Sequence, residues 1–411
     1  MAVNKSNRLV LTMLFISCVV CFVDKTAINF AIIPMKSELN LSSEDIGMIM
    51  SAFFLAYAAT QALSGYLVDR YGARKILSQG IVIWSAGTVL SAFSAGLTQI
   101  VIARFIVGLG EAVFPPGSSV AVAEHFEKSR MAKAKSILTS GASVGFALGA
   151  LLVPMMIAAF HWRTMFVILG VAGGIVALAL WQVLKKAELA HGGRAVAALS
   201  TKQDKVSIRA ILKKKITWQI AVCYFFTNII FWGLQSWLPL YWVNVRGMNM
   251  VTMGAWSAVP PVMGFLSFLV SGWLLDRFFS GYEKYLLAIA ASGTALFIGL
   301  MLSSSSIPLN FAYLTAANIF LNTISITVFV TIMKRFPVKM VGTATGLINS
   351  LSQIGSFISP MLMGVVLKWT HQNYTDIFIM LIIFAIIILL SVMGIKNEPS
   401  GFSLPEQEVP V

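Results

Sequence analysis

Runs of mainly apolar residues recur twelve times along the chain, near 9–34, 45–68, 74–95, 98–122, 135–158, 164–184, 216–241, 251–275, 284–304, 308–333, 341–367 and 373–394. Each is close to the roughly 20 residues that a helix needs to cross the hydrocarbon core of a bilayer. The pattern therefore predicts an all-α polytopic membrane protein of twelve transmembrane helices. The longest polar stretch, 185–215, divides the runs six and six; it contains Gly192 and Gly193 and ends in Lys213, Lys214 and Lys215. The expected organisation is a six-helix half over 1–184, a linker over 185–215, a second half over 216–396 and a tail over 397–411. The first run has charge inside it and no clear small-x-small cleavage site, so it reads as an uncleaved first helix rather than a signal peptide.

Composition supports this reading. Of the 411 residues, 58% are hydrophobic and 11% charged, where a soluble domain carries roughly a quarter charged. A globular enzyme, a disordered binder and a disulfide-built secreted domain are all excluded on that balance. Cys18, Cys21 and Cys223 lie in apolar runs without metal-ligand spacing, and nothing calls for a metal or a cofactor. The net charge of +14 is explained by topology. With the N-terminus inside, 24 of the 30 Lys and Arg fall on one side, and Lys36, Arg163, Arg246 and Lys368 on the other. Basic residues collect on the cytoplasmic side, so both termini are expected in the cytoplasm of a cell membrane, and no nucleic-acid partner is needed.

An internal repeat adds function. Gly65-Tyr66-Leu67-Val68-Asp69-Arg70 recurs as Gly272-Trp273-Leu274-Leu275-Asp276-Arg277, and Pro154 in the fifth run is echoed by Pro360 in the eleventh. Two parallel six-helix repeats are the plan of a transporter class whose halves rock around a midplane site. The stretch Gly65-Tyr66-Leu67-Val68-Asp69-Arg70-Tyr71-Gly72-Ala73-Arg74-Lys75 resembles the G-x-L-x-D-R-x-G-x-R-K signature of the major facilitator superfamily. Gly65, Asp69, Arg70, Gly72, Arg74 and Lys75, with Asp276 and Arg277, would form a conformational clasp that pairs in one state and separates in another. Asp24-Lys25-Thr26-Ala27-Ile28-Asn29, Arg104-Phe105-x-x-Gly108-x-x-Glu111, Trp162-Arg163-x-x-Phe166 and Trp237-Leu238-Pro239-Leu240-Tyr241 resemble the anion:cation symporter branch, which includes bacterial galactonate and glucarate permeases.

Two acids, Asp24 and Glu111, lie well inside apolar runs, as do two cations, Lys25 and Arg104. Charge near the bilayer centre costs at least about 2.5–3.5 kcal/mol, so such residues are expected to be functional. Arg104 and Glu111 are seven apart, two helical turns and about 10 Å along one face. Gly108 and Gly110 between them let a neighbour or ligand approach that helix closely. Asp24 and Lys25 point about 100° apart, so one is expected to reach a cavity while the other pairs with the fourth span. Partner exchange by Arg104 between Glu111, Asp24 and a substrate carboxylate would couple proton and anion binding. The resemblance implies that Asp24 and Glu111 couple protons and that Lys25 and Arg104 bind substrate. Relatives commonly have Arg at Lys25, Tyr at Phe22 and Gln at Ala142.

Further candidates for a lining sit four apart on single faces: Tyr57 and Gln61, Asn228 and Trp232, Asn349 and Gln353, with Gln235 and Asn322 beside them. The expected function is proton-coupled uptake of a small carboxylate, such as a sugar acid, by a monomer in the lipid bilayer. The alternatives are proton-antiport export of hydrophobic compounds and a facilitated uniporter.

Overall fold

The structure is a computed structural model that describes residues 5–126, 128–190, 208–336 and 338–397; Gly192, Gly193 and the tail beyond Asn397 lie outside the described residues. In chain order the helices are α1 (Lys5–Glu38), α2 (Ser43–Tyr71), α3 (Ala73–Ala92), α4 (Leu97–Glu111), α5 (Phe114–His125), α6 (Lys128–Ala190) and α7 (Ile208–Leu212). There follow α8 (Lys215–Asn244), α9 (Met250–Ser257), α10 (Val259–Arg277), α11 (Glu283–Ser303), α12 (Ile307–Arg335), α13 (Val338–Trp369) and α14 (Tyr374–Met393). Every one of the twelve apolar runs is helical, and no strand occurs among the described residues.

Nine helices of the described residues are long and apolar enough to cross a membrane. The longest joins two helices at His161, whose backbone leaves the helical region with φ 72° and ψ 154°. α2 and α3, with 29 and 20 residues, supply the length of two more. Twelve spanning helices therefore fit the chain.

Local chemistry explains the boundaries. Ser42 caps α2 in a reciprocal box with Asp45, satisfying amides that have no intrahelical partner. Asn249 caps α9 more simply, its side chain accepting from the Val251 N–H, at the position that follows Ser42 by the spacing of the sequence repeat. The fourth span breaks after Glu111, just before Phe114-Pro115-Pro116 restarts the helix as α5. Proline has no N–H to donate and restricts the residue before it. The break thus leaves Glu111 as the last residue of α4.

By contact the chain falls into two compact units. One contains Met1–Asp204, Asn228–Phe265 and Gln353–Ile377; the other contains Lys205–Thr227, Leu266–Ser352 and Phe378–Val411. In the first, the helices approach through glycine. Gly141, Gly145 and Gly149 form a ridge on α6, and a Cβ at Gly145 would lie 2.6 Å from Phe22 Cβ and 2.7 Å from the Val19 carbonyl of α1. Small residues four apart allow such backbone approach in membranes. Two further contacts repeat the internal symmetry. Gly47 of α2 sits on the Pro360 carbonyl of α13, and its counterpart Gly254 of α9 on Ala150 and Pro154 of α6. Near the first of these, Lys368 Nζ lies 2.7 Å from Glu44 Oε2 and Trp237 Nε1 donates to Pro360 O at 3.1 Å.

The second unit is held partly by a buried acid. Glu283, at the start of α11, is 1% exposed and takes Arg335 at 3.2 Å and Lys334 at 3.4 Å from the end of α12. Ser271 and Thr323 share a hydrogen bond of 2.7 Å, and Phe297 stacks on Phe320.

Candidate functional site

Asp24 and Lys25 sit mid-way along α1, and Arg104 and Glu111 lie on α4; all four are buried. On α1, Lys25 is the member that pairs with the fourth span. Lys25 Nζ lies 3.1 Å from Glu111 Oε2. Asp24 turns instead to α3, where Thr88 Oγ1 donates to its Oδ2 at 2.8 Å. The neighbouring side chains diverge as expected, but each finds a protein partner: the ion pair on the fourth span belongs to Lys25, and Asp24 takes a hydroxyl. The gain for Lys25 is a charge pair deep in a low dielectric, which is favourable only with such close geometry.

Arg104 lies beside this pair, on the same helix as Glu111. Its guanidinium stacks over the Phe53 ring at 5.0 Å, and its Nε, although buried, has no hydrogen-bond partner among the described residues. Glu111 Oε1 is likewise buried without a partner, while Oε2 accepts from Lys25 and, at 3.5 Å, from the Cys21 thiol. A buried donor and a buried acceptor left open in one charged cluster are costly. They are the features a ligand carboxylate and a proton would satisfy.

Gly108 and Gly110 do admit close neighbours, and the neighbours are helices. A Cβ at Gly108 would collide with the Phe53 carbonyl of α2, and one at Gly110 with the backbone of Gly80 and Trp84 in α3. These glycines pull α4 against α2 and α3, which brings Glu111 to Lys25 and lays Arg104 on Phe53.

Around Lys25 the lining is aromatic. Its ammonium lies over the rings of Phe22 at 4.9 Å, Phe53 and Tyr57 at 5.1 Å, and Trp232 at 5.9 Å. Ammonium over ring faces is favourable, more so when desolvated. Trp232 reaches this group from α8 and packs edge-on against Phe54 at 4.7 Å. Ala142 packs against the apolar core beside α1. Of the other candidates, Asn228 accepts from Ser356 at 3.3 Å, an interhelical bond. Gln61, Gln235 and Gln353 are half-buried in the same unit. Asn322 and Asn349 belong to the second unit, where Asn322 donates to Asn318 at 3.4 Å.

The clasp residues are engaged locally. Arg74 pairs with Glu188 at 3.1 Å and lies over Trp181, Arg70 donates to Tyr66 Oη at 2.9 Å, and Lys75 lies over Tyr71. Gly72 ends α2 at φ 84°, a left-handed conformation that favours glycine. Gly65 has open space around its Cα, and Arg277 is exposed. The side chains of Asp69 and Asp276 lie outside what is described. A separate ionic knot ties the end of α1 to the α6 bend: Glu38 holds Arg163, accepts from Trp162 Nε1 at 2.6 Å and lies 3.2 Å from His161 Nε2.

The sequence offers no sign of a role for Thr88, and Cys21 reads there only as a cysteine in an apolar run. Thr88 was legible only as a hydroxyl in an apolar run, and such hydroxyls normally bond back to their own helix.

Comparison with known proteins agrees with this architecture. Residues 14–360 match the Major Facilitator Superfamily. The chain is 26% identical to the hexuronate transporter of Bacillus subtilis (strain 168), over 99% of each chain. It is 25% identical to the "Probable galactarate/D-glucarate transporter GarP" of Escherichia coli (strain K12), over 89% of each. The crystal structure of a D-xylose-proton symporter superposes with a TM-score of 0.78 at 15% identity, covering 98% of this chain and all of that one. The family and these relatives are transporters, not enzymes.

Proposed function

Because the chain belongs to the Major Facilitator Superfamily, a family of multi-pass membrane transporters, we propose that it is a proton-coupled symporter. It takes up a small organic anion, such as a sugar acid or another hydroxycarboxylate, by alternating access. Its place is the cytoplasmic membrane, with both termini inside, as the distribution of Lys and Arg supports. The observation that carries the reading is the ion pair of Lys25 with Glu111 beside a buried Arg104 whose Nε has no hydrogen-bond partner among the described residues.

The four buried charges sum to zero. A proton on Glu111 or Asp24 leaves the group with one positive charge in excess, and a carboxylate restores neutrality. Charge separation in a low dielectric is expensive, so each ligand improves binding of the other, as reciprocal coupling requires. Protonating Glu111 also removes the charge that holds Lys25, freeing its ammonium to join Arg104 on the incoming carboxylate. Arg104 cannot give up its own charge, so it serves as the fixed anion contact while the acids carry the protons. The sugar-acid relatives support the substrate class, and within the first unit the half-buried amides Gln61, Gln235 and Gln353 offer contacts for its hydroxyls.

The test is reconstitution in proteoliposomes loaded with a pH dye, with sugar acids and smaller carboxylates added outside. Acidification of the lumen by one acid, abolished in Glu111→Gln and in Asp24→Asn, is the expected result. Uptake of labelled acid without proton movement would make the protein a uniporter or a sodium-driven carrier. Efflux of hydrophobic cations against a proton gradient would make it an exporter.

A further inference from the structure

Thr88 sits where it can respond to the protonation state of Asp24. Its Oγ1 is 2.8 Å from Asp24 Oδ2 and 3.0 Å from the Trp84 carbonyl one turn earlier in α3. A hydroxyl has one proton and can accept through its lone pairs, so it can donate to only one of these two oxygens at a time. Thr88 and Asp24 are 2% and 3% exposed, so bulk water is not at hand to take over either bond.

We propose that Thr88 is a positioning residue for proton exchange at Asp24, switching its donation from the Asp24 carboxylate to the Trp84 carbonyl as Asp24 gains its proton. When Asp24 is ionised it can only accept, and the hydroxyl donates to it. When a hydronium ion reaching the site gives its proton to Asp24 and leaves as water, the new O–H donates to the Thr88 oxygen, and the Thr88 proton rotates to Trp84. Both states leave the hydroxyl of Thr88 and any proton on Asp24 partnered without moving the backbone. Several charged or titratable groups belong to the cluster around this region: Lys25 and Cys21 on α1, Tyr57 on α2, and Arg104 and Glu111 on α4. Of these, Glu111, Arg104 and Lys25 act directly on the Asp24 carboxylate. Thr88 contributes the direct hydrogen bond. The inference rests on the reading that Asp24 exchanges protons.

The donation to a carboxylate is charge-assisted and stronger than the bond formed in the neutral state. Removing the hydroxyl therefore favours the protonated acid. The experiment is a pH titration of the full-length protein in nanodiscs by difference infrared spectroscopy, reading the carboxylic C=O band that Asp24→Asn removes. The isosteric Thr88→Val is expected to move the midpoint of that band to higher pH by about one to two units, a ten- to hundredfold change in proton concentration. The alkaline limb of uptake should move in the same direction. Thr88→Ser, which keeps the hydroxyl, should return both to the wild-type position. An unmoved midpoint in Thr88→Val, or a Thr88→Ser midpoint that follows Thr88→Val, overturns the role of Thr88 while leaving symport standing. A wild-type protein in which the Asp24 band never titrates overturns this inference and the Asp24 part of the symport reading together.

Discussion

Lys25 has four aromatic rings and one carboxylate for company, and the pairing decides what its loss would do. Replacing it by the similarly shaped but neutral methionine leaves Glu111 buried without its cation. An uncompensated buried charge costs about 3–5 kcal/mol. Lys25→Met should therefore lower the unfolding temperature in detergent clearly more than Lys25→Arg, which keeps a cation for Glu111. Equal losses in the two variants would show that the ion pair is not what Lys25 supplies. The sequence made the four buried charges conspicuous because charge is rare in apolar runs. It did not show which acid takes which cation, because pairing depends on helix rotation and on neighbours such as Thr88 and Phe53, which belong to other spans. The ring around Lys25 was half legible: Tyr57 and Trp232 were candidates, whereas Phe22 and Phe53 look like any apolar residue until the helices meet.

Among the elements, α4 is the most constrained. Gly108 and Gly110 press it against two helices, and the prolines that follow break it at Glu111. Gly108→Ala must push α2 away from α4, and overpacking of this kind typically costs about 1–3 kcal/mol. Gly174→Ala in the second arm of α6 has no atom within 4 Å of the new methyl. That change should be neutral or stabilising by up to about 1 kcal/mol, since alanine is the better helix former. Thermal unfolding of the two variants side by side tests the contrast, and equal shifts would contradict the packing described. The helices themselves were readable from twelve apolar runs, and the break was foreshadowed by Pro115-Pro116. The close approaches were less so: Gly108 and Gly110 gave a signal, but the ridge of Gly141, Gly145 and Gly149 was passed over, because small residues at that spacing reveal a partner only once α1 lies against them.

At the scale of the molecule, the uneven distribution of Lys and Arg assigns sides. Cys18, Cys21 and Cys223 are all buried and free, which gives a low background for thiol labelling. Lys368 and Lys396 are exposed. A single new thiol at Lys368→Cys should react with a membrane-impermeant maleimide added to intact cells, and one at Lys396→Cys only after lysis. The reverse pattern would invert the topology. The symmetry written in the two Gly-x-Leu-x-Asp-Arg stretches reappears as the paired contacts of Gly47 with Pro360 and Gly254 with Pro154. The repeat was visible in the sequence; that its counterparts each meet a proline-bearing helix was not, because those contacts join segments far apart in the chain.

Those bare backbone contacts also set how the gene can vary. Every single-base missense change in a glycine codon yields a larger residue, so Gly47, Gly108, Gly110 and Gly254 have no one-step neighbour that fits the space they occupy. Chemistry at the buried charges can drift by conservative exchange, as Lys for Arg illustrates. The four glycines cannot, and a saturation library selected for uptake would show its sharpest intolerance at positions that touch no substrate.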